Sequence, residues 1–258
     1  SDLASLRTTA EDRGDHYLVN GQKTWTTYGQ YADWIFCLVR TDSSGKKQQG
    51  ISFLLIDMKS EGVEARPMLT LGGTPAFCET FFENVKVPKE NMLGPLDEGW
   101  SLAKALLGHE RTLIGSIAPV LRTLKRLKGI AAEARLGDAP LLQDGSFRTR
   151  IARLELRARA HQMALYRSLA DQAAGKQPGP ETSILKIVAT TLQQEADELT
   201  MEVMGHDSLT WFNEAGAVPA QQGSVGSSFC YNRAVTIYGG SNEIQKNIIA
   251  KAILGLAG

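Results

Sequence analysis

The hydrophobic period of this sequence changes once, at Gly94-Pro95, and that change limits the folds that the chain can adopt. Before it, short apolar runs such as residues 33–40 and 50–58 are separated by turn residues, which is typical of β-strands. After it, apolar residues recur every three or four positions, which is typical of amphipathic helices. Strands followed by helices favour two adjacent domains over a parallel α/β sheet. We therefore predict a multi-domain α+β chain, with an antiparallel β-barrel or sandwich over residues 1–94 and an up-down four-helix bundle over residues 95–258.

Local signals place the elements within these two halves. Asn20-Gly21 follows an apolar strand and is the strongest short signal for a hairpin, so we expect the chain to reverse there. Pro119 is expected to break or kink the first helix. The predicted helices cover residues 98–118, 121–134, 147–174 and 182–204, with a last helix after Ser241 and a loop over residues 205–226.

The charge balance and the cysteine pattern exclude several classes of protein. The 28 basic residues equal the 28 acidic ones, so nothing favours binding to nucleic acid or to an anionic membrane. No apolar run approaches the roughly 20 residues that span a bilayer. The three cysteines are widely spaced and the four histidines form no cluster. We therefore expect neither a disulfide framework nor a metal site, and we expect a cytoplasmic location because that compartment is reducing.

One acidic residue, Glu110, lies on an apolar helix face. The apolar residues around it are spaced three, four and seven positions away and share its face; they are Leu106, Leu107, Leu113, Ile114 and Ile117. A buried carboxylate either pairs with a cation or has a raised pKa, and a raised pKa suits a general base. The alternative is a structural ion pair with Lys104 or Arg111, or a position at the edge of the apolar stripe.

Residues 20–27 combine an indole ring with neighbouring hydroxyl groups. Trp25 offers a large flat face and one N–H donor, and Thr26 and Thr27 add hydroxyls that donate to a ring nitrogen or a carbonyl. Together they suit the binding of a planar heterocycle. The alternative is an ordinary strand with a core tryptophan.

Residues 237–245 form the start of the last predicted helix. Gly239 and Gly240 permit close approach of the backbone, and Ser241 or Asn242 is a natural N-cap. The free N–H groups and the dipole at a helix start attract anions and electron-rich carbonyls. The alternative is a well-capped helix without a ligand.

Four segments, taken in their order and spacing, resemble the acyl-CoA dehydrogenase family. They are residues 1–5, 20–27, 82–91 and 237–245, and the resemblance extends over essentially the whole chain. The fold of that family consists of an N-terminal helical domain, a middle β-domain and a C-terminal four-helix bundle. This sequence resembles only the last two, so we expect the N-terminal domain to be absent from it.

The resemblance implies a reaction and a base. In the family, a base removes the α-proton of an acyl-CoA thioester while the β-hydrogen leaves as hydride to FAD, and an electron-transferring flavoprotein then accepts the electrons. In many relatives the base is a Glu at the position that Gly239 occupies here. In a smaller set the base directly precedes an Arg on the first bundle helix, and Glu110-Arg111 matches that arrangement. The resemblance therefore assigns Glu110 as the base, and the adjacent Arg111 either orients it or lowers the cost of the enolate.

The resemblance also assigns binding residues and an assembly. The cofactor-binding positions are Ser1, Trp25, Thr26, Thr27, Ser241 and Glu243, and the substrate-binding positions are Tyr238, Gly239 and Gly240. The expected assembly is a homo- or hetero-oligomer, in the form of a dimer of dimers.

Two positions depart from the family pattern. Glu133 stands where relatives carry an Arg that contacts the FAD pyrophosphate, and Glu202 begins the segment that contacts the adenosine end. A carboxylate beside a pyrophosphate is repulsive. Two alternatives to the dehydrogenase therefore stay open: a non-catalytic partner subunit of a heteromeric dehydrogenase, and an acyl-CoA oxidase-like flavoenzyme.

Overall fold

The computed structural model describes residues 2–211, 218 and 222–256, except for the side chains of residues 108–114. The strands of this part are β1 (Thr9–Asp12), β2 (His16–Thr27), β3 (Trp34–Arg40), β4 (Ile51–Asp57), β5 (Val63–Met68), β6 (Phe77–Pro88), β7 (Arg135–Leu136) and β8 (Ala139–Pro140). Its helices are α1 (Gly99–Ile114), α2 (Ala118–Glu133), α3 (Gly145–Ala173), α4 (Glu181–Met204), α5 (Val225–Tyr231) and α6 (Asn242–Ala252). The strands of the large sheet precede the helices, and the predicted α+β class is confirmed.

The chain divides into two compact units, Ser1–Leu107 and Gly108–Gly258, which we call the sheet unit and the helical unit. The division falls within α1, and the boundary that the sequence predicts, between residues 94 and 95, stays a prediction. Each unit has its own hydrophobic core.

The sheet unit is built on a six-stranded sheet in the order β4-β3-β1-β2-β6-β5. Its neighbouring strands are antiparallel except β1 and β3, which are parallel and pair only through Thr9 and Arg40. Alternate residues of the long central strands point into the core, and Val19, Val85 and Val87 are buried there. Burial of such a side chain contributes about 1.5–3 kcal/mol.

The hairpin that the sequence predicts at Asn20-Gly21 is wrong, because β2 runs straight through it. The pairing of β2 with β6 shifts by one residue between Val19 and Gly21, so Asn20 faces two residues of β6, Glu83 and Asn84, and the dipeptide lies opposite a β-bulge. Gly21 has φ +136°, and a Cβ there would lie 2.8 Å from the Cα of Thr8. The chain reverses earlier, over residues 13–15, between β1 and β2. An Asn-Gly pair tolerates positive φ opposite a bulge as well as in a turn, so the pair alone does not distinguish them.

The helical unit is organised around α4, which contacts α2, α3, α5 and α6. Its core is a cluster of hydrophobic side chains, mainly from α2, α3 and α4. Leu127, Leu154 and Leu192 are buried within it. The amphipathic spacing of these helices in the sequence accounts for this packing.

The helix boundaries differ from the sequence prediction in two places. The first predicted helix was expected to reach residue 118, but α1 ends at Ile114 and Pro119 lies in the first turn of α2. Proline is favoured there because the first helical N–H groups have no intrahelical acceptor. The predicted loop over residues 205–226 contains a 3₁₀ turn at Gly205–Leu209 and the start of α5, whose seven residues are too few for a clear period.

Within the described part of the chain, no helix is both long enough and apolar enough to cross a bilayer. The same residues contain no group of three or more His, Cys, Asp or Glu side chains placed to hold a metal ion.

Candidate functional site

Trp25 stands at a second bulge of the β2–β6 pair, where the extra residue lies in β2. Lys23 pairs with Thr80 and Thr26 with Cys78, so two residues of β2 face one residue of β6. Trp25 has φ +62°, which is uncommon for a residue with a side chain and is a reason to examine a position for function. Its indole is 64% exposed and meets the ring of Phe77 edge-on, with ring centroids 5.7 Å apart. One flat aromatic face is therefore open to a ligand.

The two threonines after Trp25 present hydroxyls of different kinds. Thr26 is half-buried and accepts a hydrogen bond from the Thr80 hydroxyl at 3.0 Å, so its own proton is left to donate elsewhere. Thr27 is exposed. Trp25, Thr26 and Thr27 thus lie together as an aromatic face with hydroxyl donors beside it.

The segment before α6 forms a tight turn with two left-handed glycines. Gly239 has φ +63° and Gly240 has φ +82°. Ser241 caps α6 and accepts a hydrogen bond from the N–H of Ile244 at 3.5 Å. Glu243 lies in the first turn, where hydrogen bonds from its own backbone N–H and from Ser241 lower the pKa of its carboxyl. The five residues Tyr238–Ser241 and Glu243 are therefore brought together as a capped helix start.

Two buried polar side chains hold this turn, and the sequence did not single out either of them. The amide of Gln245 is fully buried and donates to the carbonyl oxygens of Gly239 at 3.0 Å and Gly240 at 3.3 Å. Lys186 of α4 is also fully buried, and its Nζ donates to Asn242 Oδ1 at 3.2 Å. Gln245 lies within a segment already recognised as informative. Lys186 is one of several polar residues on a mixed helix, so no local signal marked it.

Lys186 carries a charge that burial disfavours. Burial lowers the pKa of its ammonium, and Glu243 opposes that shift at longer range. Among the described residues, no carboxylate forms an ion pair with it. A buried cation with one neutral acceptor raises the electrostatic potential around the turn, which favours negative charge there.

Tyr238 lines a cavity of about 600 Å³ that lies wholly within the helical unit. Burial is the larger cause that raises the pKa of Tyr238 to about 12, and Tyr231 adds to it. The phenol therefore stays neutral and is able to donate a hydrogen bond. Polar residues of the cavity include Thr123 of α2 and Gln193 of α4, and neither was predicted from the sequence.

Three of the predicted site residues are outside what the structure describes. Ser1 and the side chains of Glu110 and Arg111 lie outside the described residues, and only the helix that carries the last two, α1, is described. Their assigned roles stay predictions. Trp25, Thr26 and Thr27 belong to the sheet unit, and Tyr238, Gly239, Gly240, Ser241 and Glu243 belong to the helical unit.

The two acidic residues that depart from the family pattern have different surroundings. Glu202 of α4 accepts two hydrogen bonds from the guanidinium of Arg150 on α3, and this contact lowers the pKa of its carboxyl. Its charge is therefore compensated within the chain. Glu133 is exposed at the end of α2, followed by the small β7–β8 hairpin.

Comparison with protein-family models covers both units. The model for the acyl-CoA dehydrogenase middle domain matches residues 1–85, and the model for the acyl-CoA dehydrogenase C-terminal domain matches residues 97–254.

Individual relatives agree with these matches. The acyl-CoA dehydrogenase IpdE1 of Mycobacterium tuberculosis is 34% identical over 99% of this chain and 64% of its own length. The acyl-CoA dehydrogenase FadE26 of the same organism is 36% identical over 99% of this chain and 65% of its own length. The chain thus spans slightly less than two thirds of the length of these relatives.

Solved structures show the same similarity. The ChsE4-ChsE5 complex from Mycobacterium tuberculosis contains a chain with a TM-score of 0.86 and 34% identity, covering 100% of this chain and 66% of that one. A structure described as the Tcur3481-Tcur3483 steroid ACAD matches with a TM-score of 0.88 and 26% identity, over 99% of this chain and 65% of that one.

Proposed function

Because the chain belongs to the acyl-CoA dehydrogenase family, we propose that it supplies the β-domain and helical domain of an FAD-dependent enzyme that converts an acyl-CoA thioester to a 2-enoyl-CoA. The observation that carries this proposal is the turn before α6. Buried Gln245 holds the carbonyls of Gly239 and Gly240, in a turn over residues 238–241 that carries no carboxylate of its own and lies beside the buried cation of Lys186. Such a turn suits a thioester oxygen that gains negative charge as the α-proton leaves.

The base in this proposal is Glu110. Gly239 has no side chain, so the usual base position cannot supply the carboxylate. Glu110 takes the α-proton, and Arg111 orients it or offsets developing charge. An apolar surrounding raises the proton affinity of a carboxylate, as this step requires.

The described residues fit a flavin. When bound, FAD supplies the acceptor for the hydride that leaves the β-carbon. Trp25 offers a flat face, and Thr26 and Thr27 offer donors for the ring system. Ser241 and Glu243 provide polar groups for the adenosine side, and the ion pair with Arg150 relieves the charge of Glu202.

The proposed substrate is a bulky acyl-CoA, and the proposed electron acceptor is an electron-transferring flavoprotein. One relative by structure carries the word steroid in its description, and its identity to this chain is 26%. A cavity of about 600 Å³ is in the size range of pockets for ligands with a ring system. One structural relative is described as the ChsE4-ChsE5 complex, and the description of another joins two names, Tcur3481 and Tcur3483, which supports an oligomeric assembly.

The test is reductive bleaching of bound flavin in the full-length protein. We expect anaerobic addition of a suitable acyl-CoA to bleach the flavin absorbance of the wild type. The substitution Glu110→Gln should slow bleaching by about 10²-fold or more while flavin content is retained. The matched control is Glu90→Gln, at an exposed carboxylate of the sheet unit. Normal bleaching in Glu110→Gln would exclude Glu110 as the base.

A second candidate is a partner subunit without its own turnover. Glu133 is exposed where relatives carry a pyrophosphate-binding Arg, and this observation favours the candidate. Such a subunit, purified on its own, would contain no flavin. Bleaching of flavin absorbance would be seen only when the subunit is co-expressed with a second dehydrogenase chain. Flavin bound to the isolated homo-oligomer would exclude it.

A further inference from the structure

The cavity beside Tyr238 carries charge of one sign. Three helical segments of the helical unit line it: α2, α4 and residues 228–238. Among the described residues that line it, the charged ones are Arg122 and Arg126 of α2, and none is an Asp or Glu. Apolar surface comes from Pro119, Val120 and Val235. A molecule that fills this space therefore meets an apolar wall and positive charge.

The two arginines are neighbours on one face of α2. They lie roughly one helical turn apart, so their side chains extend side by side. Arg122 is exposed and Arg126 is half-buried. Among the residues that the structure describes, no carboxylate forms an ion pair with either guanidinium. Arg126 Nη1 makes a long contact of 3.5 Å to Ser224 Oγ. Both groups are therefore able to donate to a ligand.

One carboxylate lies behind the cavity, and other groups hold its charge. Asp197 of α4 is buried and is not one of the residues that line the cavity. It accepts hydrogen bonds from Asn232 Nδ2 at 2.7 Å and from Gln193 Nε2 at 3.0 Å. Burial raises the pKa of its carboxyl, and these two amides oppose that shift, with a smaller contribution from Arg126. Two guanidinium groups thus stand against one carboxylate, which leaves the cavity positive.

Two uncharged groups of the cavity are also hydrogen-bond donors. Burial raises the pKa of Tyr238 to about 12, so its phenol keeps the proton and donates it. Thr123 Oγ1 accepts from Gln193 Nε2 at 3.0 Å, so the hydroxyl proton of Thr123 is left to donate elsewhere. Surroundings of this kind suit a ligand group that carries acceptors and negative charge. In an organic acid that group is a carboxylate, which binds guanidinium through charge-assisted hydrogen bonds.

We propose that this cavity receives the end of the acyl group distant from the thioester, and that Arg122 and Arg126 bind a carboxylate on that end. The substrates are then CoA thioesters of dicarboxylic acids, and the apolar wall contacts the hydrocarbon between the two ends. This inference rests on the proposed function. Tyr238 connects the two, because it lines the cavity and belongs to the segment assigned to substrate. Arg122 and Arg126 are specificity-determining residues in this arrangement.

The experiment compares matched substrates on the full-length enzyme. The probes are octanoyl-, dodecanoyl- and hexadecanoyl-CoA, each beside the mono-CoA thioester of the dicarboxylic acid of the same length. At the chain length that reaches the arginines, we expect kcat/KM to be at least about 10-fold higher for the dicarboxylic substrate, because its carboxylate pairs with guanidinium. The preference should shrink as ionic strength rises, because the arginines are not fully buried. Calorimetric titration with the same pairs measures the binding preference without turnover.

Three variants test the two arginines. Arg122→Gln and Arg126→Gln should each reduce the preference for the dicarboxylic substrate severalfold, and the double variant should bring the ratio close to one. The matched control is Lys125→Gln, which removes one positive charge from the same helix at an exposed position that does not line the cavity. This control should keep the preference of the wild type.

The outcomes separate this inference from the proposed function. Turnover of every pair with equal kcat/KM in the wild type overturns the inference and leaves the dehydrogenase intact. A preference that survives in the double variant overturns the role of the arginines. Tighter binding of the dicarboxylic compounds without turnover of any acyl-CoA supports the carboxylate site and rejects the proposed reaction, whereas absence of both binding and turnover rejects both. The comparison of substrates on the wild type does not depend on whether a variant folds.

Discussion

Lys186 Nζ donates to Asn242 Oδ1 at 3.2 Å, so a fully buried cation of α4 anchors the first residue of α6. The two residues are 56 positions apart in sequence. Burial restricts the position of the Lys186 side chain, but it also imposes a desolvation cost on the charged ammonium. The turn that precedes α6 is therefore held by a group whose protonation and hydrogen bonding are coupled.

Replacing Lys186 by Met should change how stability depends on pH. In the folded chain, burial lowers the pKa of Lys186 below its ordinary value of 10.5. The unfolded chain therefore binds more protons than the folded chain at pH values between the lowered pKa and 10.5. The free energy of unfolding contributed by this group therefore rises with pH across that window. We expect the wild type to gain stability relative to Lys186→Met between pH 7 and pH 10, measured by urea unfolding. An unchanged difference between the two proteins over this range would show that the pKa of Lys186 is not lowered.

Substitution of Gly240 by Ala should destabilise the turn before α6. Its φ of +82° disfavours any side chain, and a Cβ would lie 2.4 Å from Gln245 Nε2. We expect a loss of about 2 kcal/mol in the free energy of unfolding. The matched control is Gly129→Ala in α2, where a Cβ would meet no atom within 4 Å. That control should stabilise the protein by about 0.5–1 kcal/mol, because alanine favours a helix interior. Equal effects from both substitutions would contradict the strained turn.

Removal of Arg150 should weaken flavin binding if the proposed function is right. Arg150→Met leaves the carboxylate of Glu202 uncompensated on the segment assigned to the adenosine end. We expect the flavin dissociation constant of the full-length protein to rise by about 5-fold or more at low salt, and less at high salt. The control is Arg157→Met, which breaks the equivalent α3–α4 ion pair with Glu195. A flavin affinity equal to that of the control would argue against Glu202 lying near the cofactor.

Trp25 should matter for the flavin rather than for the fold. Its indole is 64% exposed, so Trp25→Leu removes little buried surface, and we expect the melting temperature to change by only a few degrees. The flavin content of the purified full-length protein should fall severalfold. Trp34→Leu is the control, since Trp34 is also exposed on the sheet unit and no role is assigned to it. Retention of flavin in Trp25→Leu would exclude the indole as the ring platform.

The sequence predicted those features that depend on local chemistry. The sequence offered Ser241 or Asn242 as the N-cap of the last helix, and Ser241 is the one that caps α6. The long helices α3 and α4 follow amphipathic periods, so their limits came within two residues of the predicted ones. Asn20-Gly21 shows the limit of such signals, because the same dipeptide fits a turn and a strand position opposite a bulge, and only pairing with β6 selects between them.

By itself the sequence determined that the long strands precede the long helices, and it marked the capped start of α6 and the pair of glycines before it, because these follow from residue type and from periods of two or 3.6 residues. The tertiary structure alone decided that Lys186, Gln193 and Gln245 are buried, and that Gln193 Oε1 has no hydrogen-bond partner among the residues that the structure describes. A polar residue on a helix is solvated or enclosed according to what packs against its face. That packing joins residues far apart in the chain, as Gln193 and Thr123 are, so no local pattern contains it.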